Sequence, residues 1–390
     1  MAGTVSGIDV FSPEVQIDPY PVWRELRAHT PVYREPKYGN YVLTRFDDVY
    51  AVLRDHSTFS SAAGIGPNPN TPGGANQTIV TSDPPRHTHL RNLVNRAFTP
   101  RTVQAMVPRM ERIVADLLAA RPADRFDLVE TLSYPLPVIV IAELLGIPAE
   151  RRADFKRWSD ALVGTFEGAF DASRMVVLQE MFVFLAAAIA ERRAEPLEDL
   201  ITALTRAEVD GQRLNEGEVM SFALILLVAG NETTTNLISN LMNILGRRPD
   251  LWARLRADRS LVENAIEETL RYDSPVQMLG RGVVRDVEVR GVRLKPGDHI
   301  MAAFGAANRD EAEFPEGETF KVDRDFSRHV AFGHGIHYCL GAPLARAEAK
   351  VALNALLDGF VEISLPDQGK RTLSSVIHGF EHLSFEGRPA

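Results

Sequence analysis

Apolar positions recur every three or four residues over most of the chain and alternate in only a few short stretches. Residues 39–45, GNYVLTR, alternate as a strand does, and the spacing after them predicts a short helix from Asp47. From about Arg86 to Leu200 the period is helical, punctuated by Pro100, Pro122, Pro135 and Pro148. The segment from about Asn215 to Arg247 predicts a helix of roughly 45–50 Å at 1.5 Å per residue, enough to cross a whole domain. Further helices are expected over about Asp258–Tyr272 and from about Leu340. Residues 283–304 read as short strands, DVEVRGVRL and DHIMAAF, joined by a turn at Lys295-Pro296-Gly297-Asp298. The chain closes on a short β-like tail. Gly, Pro and Asn crowd residues 61–80, the longest irregular stretch, and loops of that length are usually functional or mobile. The pattern predicts a mainly α protein with small β-sheets, an α+β fold, in one domain over residues 1–390, since no Gly/Ser linker interrupts it.

Composition narrows the function. A net charge of −9 argues against a general nucleic-acid binder, and 45% hydrophobic with 24% charged residues excludes disorder. Cys339 is the one cysteine, so neither an internal disulfide nor a Cys-rich zinc or iron–sulfur site can form, and a reducing cytoplasm is expected. The start, MAGTVSGIDVFSPEVQIDPYP, has no basic n-region and no apolar h-region, so no signal peptide is expected. No run of about 18 uninterrupted apolar residues predicts a membrane span. Arg far outnumbers Lys, a bias that hints at a GC-rich bacterial source.

The stretch Ala331–Arg346, AFGHGIHYCLGAPLAR, carries the most chemistry. Cys339 stands directly before a helical pattern, where the dipole and free amides favour thiolate. Gly333, Gly335 and Gly341 allow tight turning and close approach, and Phe332 can wall one side of the sulfur. Four readings are open: a buried structural cysteine, a nucleophile with His337 as base, a metal cluster of His334, His337 and Cys339, and a thiolate ligand to haem iron.

Phe-Gly-x-Gly-x-His-x-Cys-x-Gly, residues 332–341, resembles the haem-ligand signature of the cytochrome P450 family and fixes six positions over ten residues. The resemblance makes Cys339 the proximal iron ligand and places His337 on a haem propionate. Other segments fit it in order. LLVAGNETTTN, residues 226–236, resembles the family's distal helix, with Ala229 and Gly230 at the cofactor and Glu232 and Thr233 as an acid–alcohol pair. Read alone, Gly230 could equally serve helix packing, and Thr233 could merely satisfy a backbone carbonyl. Glu268 and Arg271, at i and i+3, resemble the family's buried structural pair. His87 and Arg91, at i and i+4, resemble its propionate-binding helix, although Arg86 and His89 depart from the usual residues. Arg281 matches the remaining propionate arginine.

The resemblance implies haem b between the long distal helix and the helix after the cysteine loop, and insertion of one atom of O2 into a hydrophobic small molecule. A steroid, terpenoid, fatty acid or polyketide would suit it. Leu226, Val276, Leu279 and Ile377 are expected to line the substrate pocket, with Phe166–Phe170, Val376–His378 and loop 61–80. Electrons are expected from a separate ferredoxin and its reductase, the protein being a cytoplasmic monomer; Arg101, Arg109, Arg112, Arg346 and Lys350 read either as a basic docking patch for them or as a solvated basic scatter. A peroxide-driven peroxygenase and a non-enzymatic haem sensor are the alternatives; a proton-delivering pair such as Glu232 and Thr233 would serve neither.

Overall fold

Asn215 begins the element around which the rest is arranged. Its side chain accepts from the Glu218 N–H, and the Glu218 carboxylate accepts from the Asn215 N–H, so two end donors are satisfied reciprocally. The helix runs Glu216–Gly246, 31 residues, and its second half is enclosed by protein. It packs on the helices Pro135–Leu144 and Ala342–Gly359, the second of which follows Cys339. The computed structural model describes residues 7–68, 78–166, 172–325 and 328–390.

The helical stretch after Arg86 resolves into Arg86–Ala97, Pro100–Ala119, Pro135–Leu144, Arg152–Phe166 and Ala172–Ala194, with Pro at the first turn of the second and third. Val262–Tyr272 forms the predicted helix before the strands, preceded by a 3-10 turn over Arg259–Leu261.

The main sheet orders its strands Val32–Arg34, Tyr41–Leu43, His299–Ala303, Met278–Val283 and Phe59–Ser60. All pairings are antiparallel except Tyr41–Leu43 with His299–Ala303. DVEVRGVRL is one hairpin, Val287–Val289 with Val292–Leu294, turning at Arg290 and Gly291, both left-handed. Alternation predicted Tyr41–Leu43 but not Met278–Val283, where Gly280 and Gly282 break the apolar pattern. The glycines are there because loop residues lie on that face: a Cβ at Gly282 would stand 2.5 Å from the Ala63 Cβ.

Two cores result. Helices bury Leu132, Ile141, Trp158, Leu241 and Leu356 together, while Phe46, Phe59, Ile300 and Phe304 gather with the sheet. Among the described residues, Ala172–Ala194 is long and apolar enough to cross a membrane. Gln179 and Glu180 interrupt it, and Leu178, Met181, Leu185 and Ile189 turn inward. Its apolarity therefore serves the core in part, leaving Met175, Val176 and Val183 exposed.

Candidate active site

Cys339 lies between a 3-10 turn, Gly335–His337, and the helix Ala342–Gly359. Gly333 and Gly335 take left-handed φ of 68° and 70°. A Cβ at Gly335 would also stand 2.5 Å from the Leu53 carbonyl oxygen, so the loop is pressed on the end of the helix Phe46–Arg54. The Cys339 N–H donates to the Phe332 carbonyl at 2.9 Å and closes the loop. Gly341 differs: its φ is −81°, and a Cβ there would meet only the Cys339 sulfur, at 3.9 Å. No turn demands glycine at that position, and its smallness leaves the approach to the sulfur open.

Burial pushes the Cys339 thiol up and outweighs the Gly341 N–H, Arg91, the Ala342 N–H and Arg346, which all pull it down. The expected help from the helix terminus is present in sign, but it does not offset burial. A coordinated metal ion would. Phe332 is half-buried nearby, with the Arg346 guanidinium 4.6 Å from its ring centre.

On the other side of the loop the His337 ring faces His87, centre to centre 4.3 Å. His87 and Arg91 share one face of Arg86–Ala97. Arg281, from the strand Met278–Val283, is buried, and its Nη1 donates to the Gly280 carbonyl at 2.7 Å. Burial holds the Arg281 guanidinium down to about 10. Burial, then the charges of Arg281, His87, Arg91 and His56, hold His337 down to about 3. Both ring nitrogens of His87 and Nε2 of His337 are buried without a partner. Asp83 acts electrostatically on both His87 and Arg281, but it already accepts from the Ser60 hydroxyl and the Ser61 N–H. Cations and imidazoles thus converge with too few carboxylates to satisfy them.

The long helix contributes a different surface. Ala229 is exposed midway along it, and Leu226, Ala229 and Thr233 follow at three- and four-residue spacing, so they border open space on one face. Gly230 has a packing role as well: a Cβ there would stand 2.6 Å from Ile141 Cδ1, at the end of a side chain from Pro135–Leu144. Thr233 Oγ1 donates to the Ala229 carbonyl at 2.7 Å. Glu232 beside it is half-buried. The sequence reading missed Asn231, whose Nδ2 donates to Ser159 Oγ at 3.1 Å and ties this turn to Arg152–Phe166; only a fold places those residues together.

Glu268 and Arg271 are fully buried and joined by bonds of 2.7 and 2.8 Å. Arg271 also donates to the Asn308, Gly317 and Thr319 carbonyls, while the Lys321 N–H and Arg324 donate to Glu268. Nothing in this network is open to a substrate.

Leu226, Val276, Leu279 and Ile377 are each half-buried, and Val276 bridges Ile377. Leu226 packs on the helical core, and Val276 and Leu279 pack on the sheet core. Residues 69–77 and 167–170, also expected at the pocket, lie outside the described residues. His378 does not belong with them. It is buried with its Nε2 3.4 Å from Asp273, in a polar cluster with Tyr20 and Arg371. The expected docking patch is also weaker than its arginines suggested. Arg109 is bound to Glu143, Arg346 to Glu267 and Lys350 to Glu263, at 2.6–2.7 Å, by acids distant in sequence.

Residues 29–375 match the cytochrome P450 family. The chain belongs to the cytochrome P450 family. It is 42% identical over 358 residues to cytochrome P450 monooxygenase PikC of Streptomyces venezuelae, covering 89% of this chain and 85% of that protein. The solved structure of cytochrome P450 CYP109Q5 from Chondromyces apiculatus superposes with a TM-score of 0.90 at 41% identity, covering 98% of both chains. CYP109E1 from Bacillus megaterium, solved in complex with testosterone, gives 0.87 at 38% identity, covering 95% of this chain and 99% of that one. The protein is therefore a P450 monooxygenase of bacterial type, and the haem-thiolate iron of that family suits what the residues offer. A thiol that burial holds up sits near orphaned imidazole nitrogens, the half-buried Arg91 and the buried Arg281, a set that a thiolate-bound iron and two carboxylates would satisfy.

Proposed function

We propose that this P450 inserts one atom of O2 into a C–H bond of a hydrophobic, steroid-sized molecule, using noncovalent haem b and electrons from a separate ferredoxin. The observation that carries the reading is the excess of unsatisfied donors at His87 and His337 beside the single cysteine. Cys339 would ligate the iron, and His87, Arg91, Arg281 and His337 would hold the two haem carboxylates. When bound, a thiolate-ligated haem supplies the O2-activating chemistry. Noncovalent attachment follows from the absence of a Cys-x-x-Cys-His motif.

Glu232 and Thr233 would hold protons at the open face of the long helix. Because the Thr233 hydroxyl donates to Ala229, its oxygen accepts on that face, and the Glu232 carboxyl is the group that titrates. Leu226, Val276, Leu279 and Ile377 would orient the substrate and keep water out. The testosterone complex of the Bacillus megaterium relative supports a ligand of that size.

Turnover with a surrogate ferredoxin, its reductase and NADPH, over a panel of steroids, terpenoids, fatty acids and polyketides, tests the reading. Oxygenated product that requires both electron donor and O2 is expected. Product formed with peroxide alone would make the protein a peroxygenase. A ligand-induced change in the haem spectrum with no product under any donor would make it a binding protein.

A further inference from the structure

Three elements meet at the His87–His337 contact, and the third brings a residue that no motif marks. His56 follows the helix Phe46–Arg54, whose end the cysteine loop touches at Gly335. The turn that carries it is rigid. The Asp55 carboxylate accepts from the Ser57 hydroxyl at 2.6 Å and the Thr58 N–H at 3.1 Å, and Arg285 closes on it at 3.3 Å. The Phe59 N–H adds a bond to the Asp55 carbonyl at 2.9 Å, leading directly into the strand Phe59–Ser60.

A histidine in such a turn would ordinarily point both ring nitrogens at water. Here Nδ1 is buried and has no partner. The His56 charge acts on both His87 and His337, so the ring stands on their side of the turn. A buried polar atom left without a partner costs about 1–3 kcal/mol, and such ring nitrogens recur at His56, His87 and His337 around one spot. Two carboxylates bring four oxygens with about four lone-pair sites on each group, enough to accept from all three imidazoles and both arginines.

We infer that His56 is a further contact to the haem carboxylates, donating from Nδ1 alongside His87, Arg91, Arg281 and His337. This rests on the haem reading above. It gives the carboxylate cradle a member on the turn before Phe59–Ser60, which pairs with the strand that carries Arg281. Haem binding therefore ties that turn, the helix Arg86–Ala97 and the cysteine loop together.

The test is the rate of haem transfer from holoprotein to excess apomyoglobin, for the parent, His56→Leu and His56→Asn. Each is prepared with natural haem and, by reconstitution, with haem dimethyl ester. With natural haem, His56→Leu should lose haem about tenfold faster, as expected for one charge-assisted bond, and His56→Asn should stay within about threefold of the parent because it keeps a donor near Nδ1. With the ester the gap between His56→Leu and the parent should close, since the carboxylate partner is gone. Parent-like haem loss from His56→Leu, or an equal gap with both haems, would overturn the contact. Failure of the haem-carboxylate reading itself would look different: esterification would then leave the parent's own rate unchanged.

Discussion

Two buried charged regions of this P450 differ in one respect that separates structure from function. Around Arg271 every donor has an acceptor: Glu268 and three backbone carbonyls receive its guanidinium, and Arg324 and the Lys321 N–H complete the carboxylate. Around His337 the donors outnumber the acceptors, and ring nitrogens of His56, His87 and His337 are left over. Both regions are enclosed, and both contain arginine. A closed network can only hold the fold together, because any ligand would have to displace a bond already made. An open one costs stability in the bare chain and returns it when carboxylates arrive. Burial and charge alone do not distinguish a binding site; the count of unmet partners does.

The largest effect expected from this contrast is at Arg271. Arg271→Ala breaks the buried pair, leaving Glu268 with Arg324 and the Lys321 N–H alone and stranding the Asn308, Gly317 and Thr319 carbonyls, which costs about 3–5 kcal/mol. The variant should be insoluble, or should unfold at markedly lower denaturant without a separate haem-loss step. Parent-like stability in a denaturant titration would mean that the closed network does not hold the fold.

The Asp273 cluster falls between the two regions, and pH probes it. His378 reaches Asp273, but its Nδ1 has no partner. Burial holds the ring down to about 4, against the pull of Asp273. An unfolded histidine titrates near 6.5, so between roughly pH 4 and 6.5 the unfolded chain binds a proton that the folded chain refuses. Stability should therefore fall as pH drops through that window, by an amount of order 3 kcal/mol from this group. His378→Asn should flatten that part of the stability–pH curve. An unchanged slope would assign the loss to other groups.

At the cradle the contrast predicts opposite signs for the two states of one variant. His87→Leu removes two orphaned nitrogens from the bare chain, so the apoprotein should be as stable as the parent or more stable, by up to about 1–3 kcal/mol. The holoprotein should lose haem faster, because an acceptor on the haem is left unmet. Paired denaturant titrations of apo and holo forms check this. Equal destabilisation of both would place His87 with Arg271 as a structural residue.

How far the sequence reveals these features depends on the range of the interaction that creates them. The long helix, its Asn215 cap and the glycine turns of the cysteine loop are local, and period and motif place them to within a residue or two. The sheet is not local: its order joins residues 32–43 to residues 278–303, and glycines hide the strand Met278–Val283. The same holds at the site. Cys339, His337, His87 and Arg91 are legible because their motifs are short. The packing of Gly230 on Ile141 is not legible because Ile141 comes from another helix, nor is the Arg109 pair with Glu143, which comes from a different helix. His56 is invisible, since what marks it is a missing partner.

Thr233 carries the smallest expected effect on stability and the one that bears most on chemistry. Its hydroxyl already has a partner, the Ala229 carbonyl at 2.7 Å, on a face open to solvent. A purely structural threonine would do no more than that, and losing one such bond costs about 1 kcal/mol. If the pair also delivers protons, Thr233→Ala should bind haem and consume reductant at parent-like rates while releasing more hydrogen peroxide and less product. Glu232→Gln keeps the shape but removes the titrating group, so it should slow oxygen use within the roughly 10²–10⁴-fold range of general acid catalysis. The ratio of product to reductant consumed separates the two roles, because a lost backbone bond has no reason to change it. Parent-like coupling in both variants, at intact haem content, would place this turn of the helix with the closed network and leave the Ala229 bond as the whole purpose of Thr233.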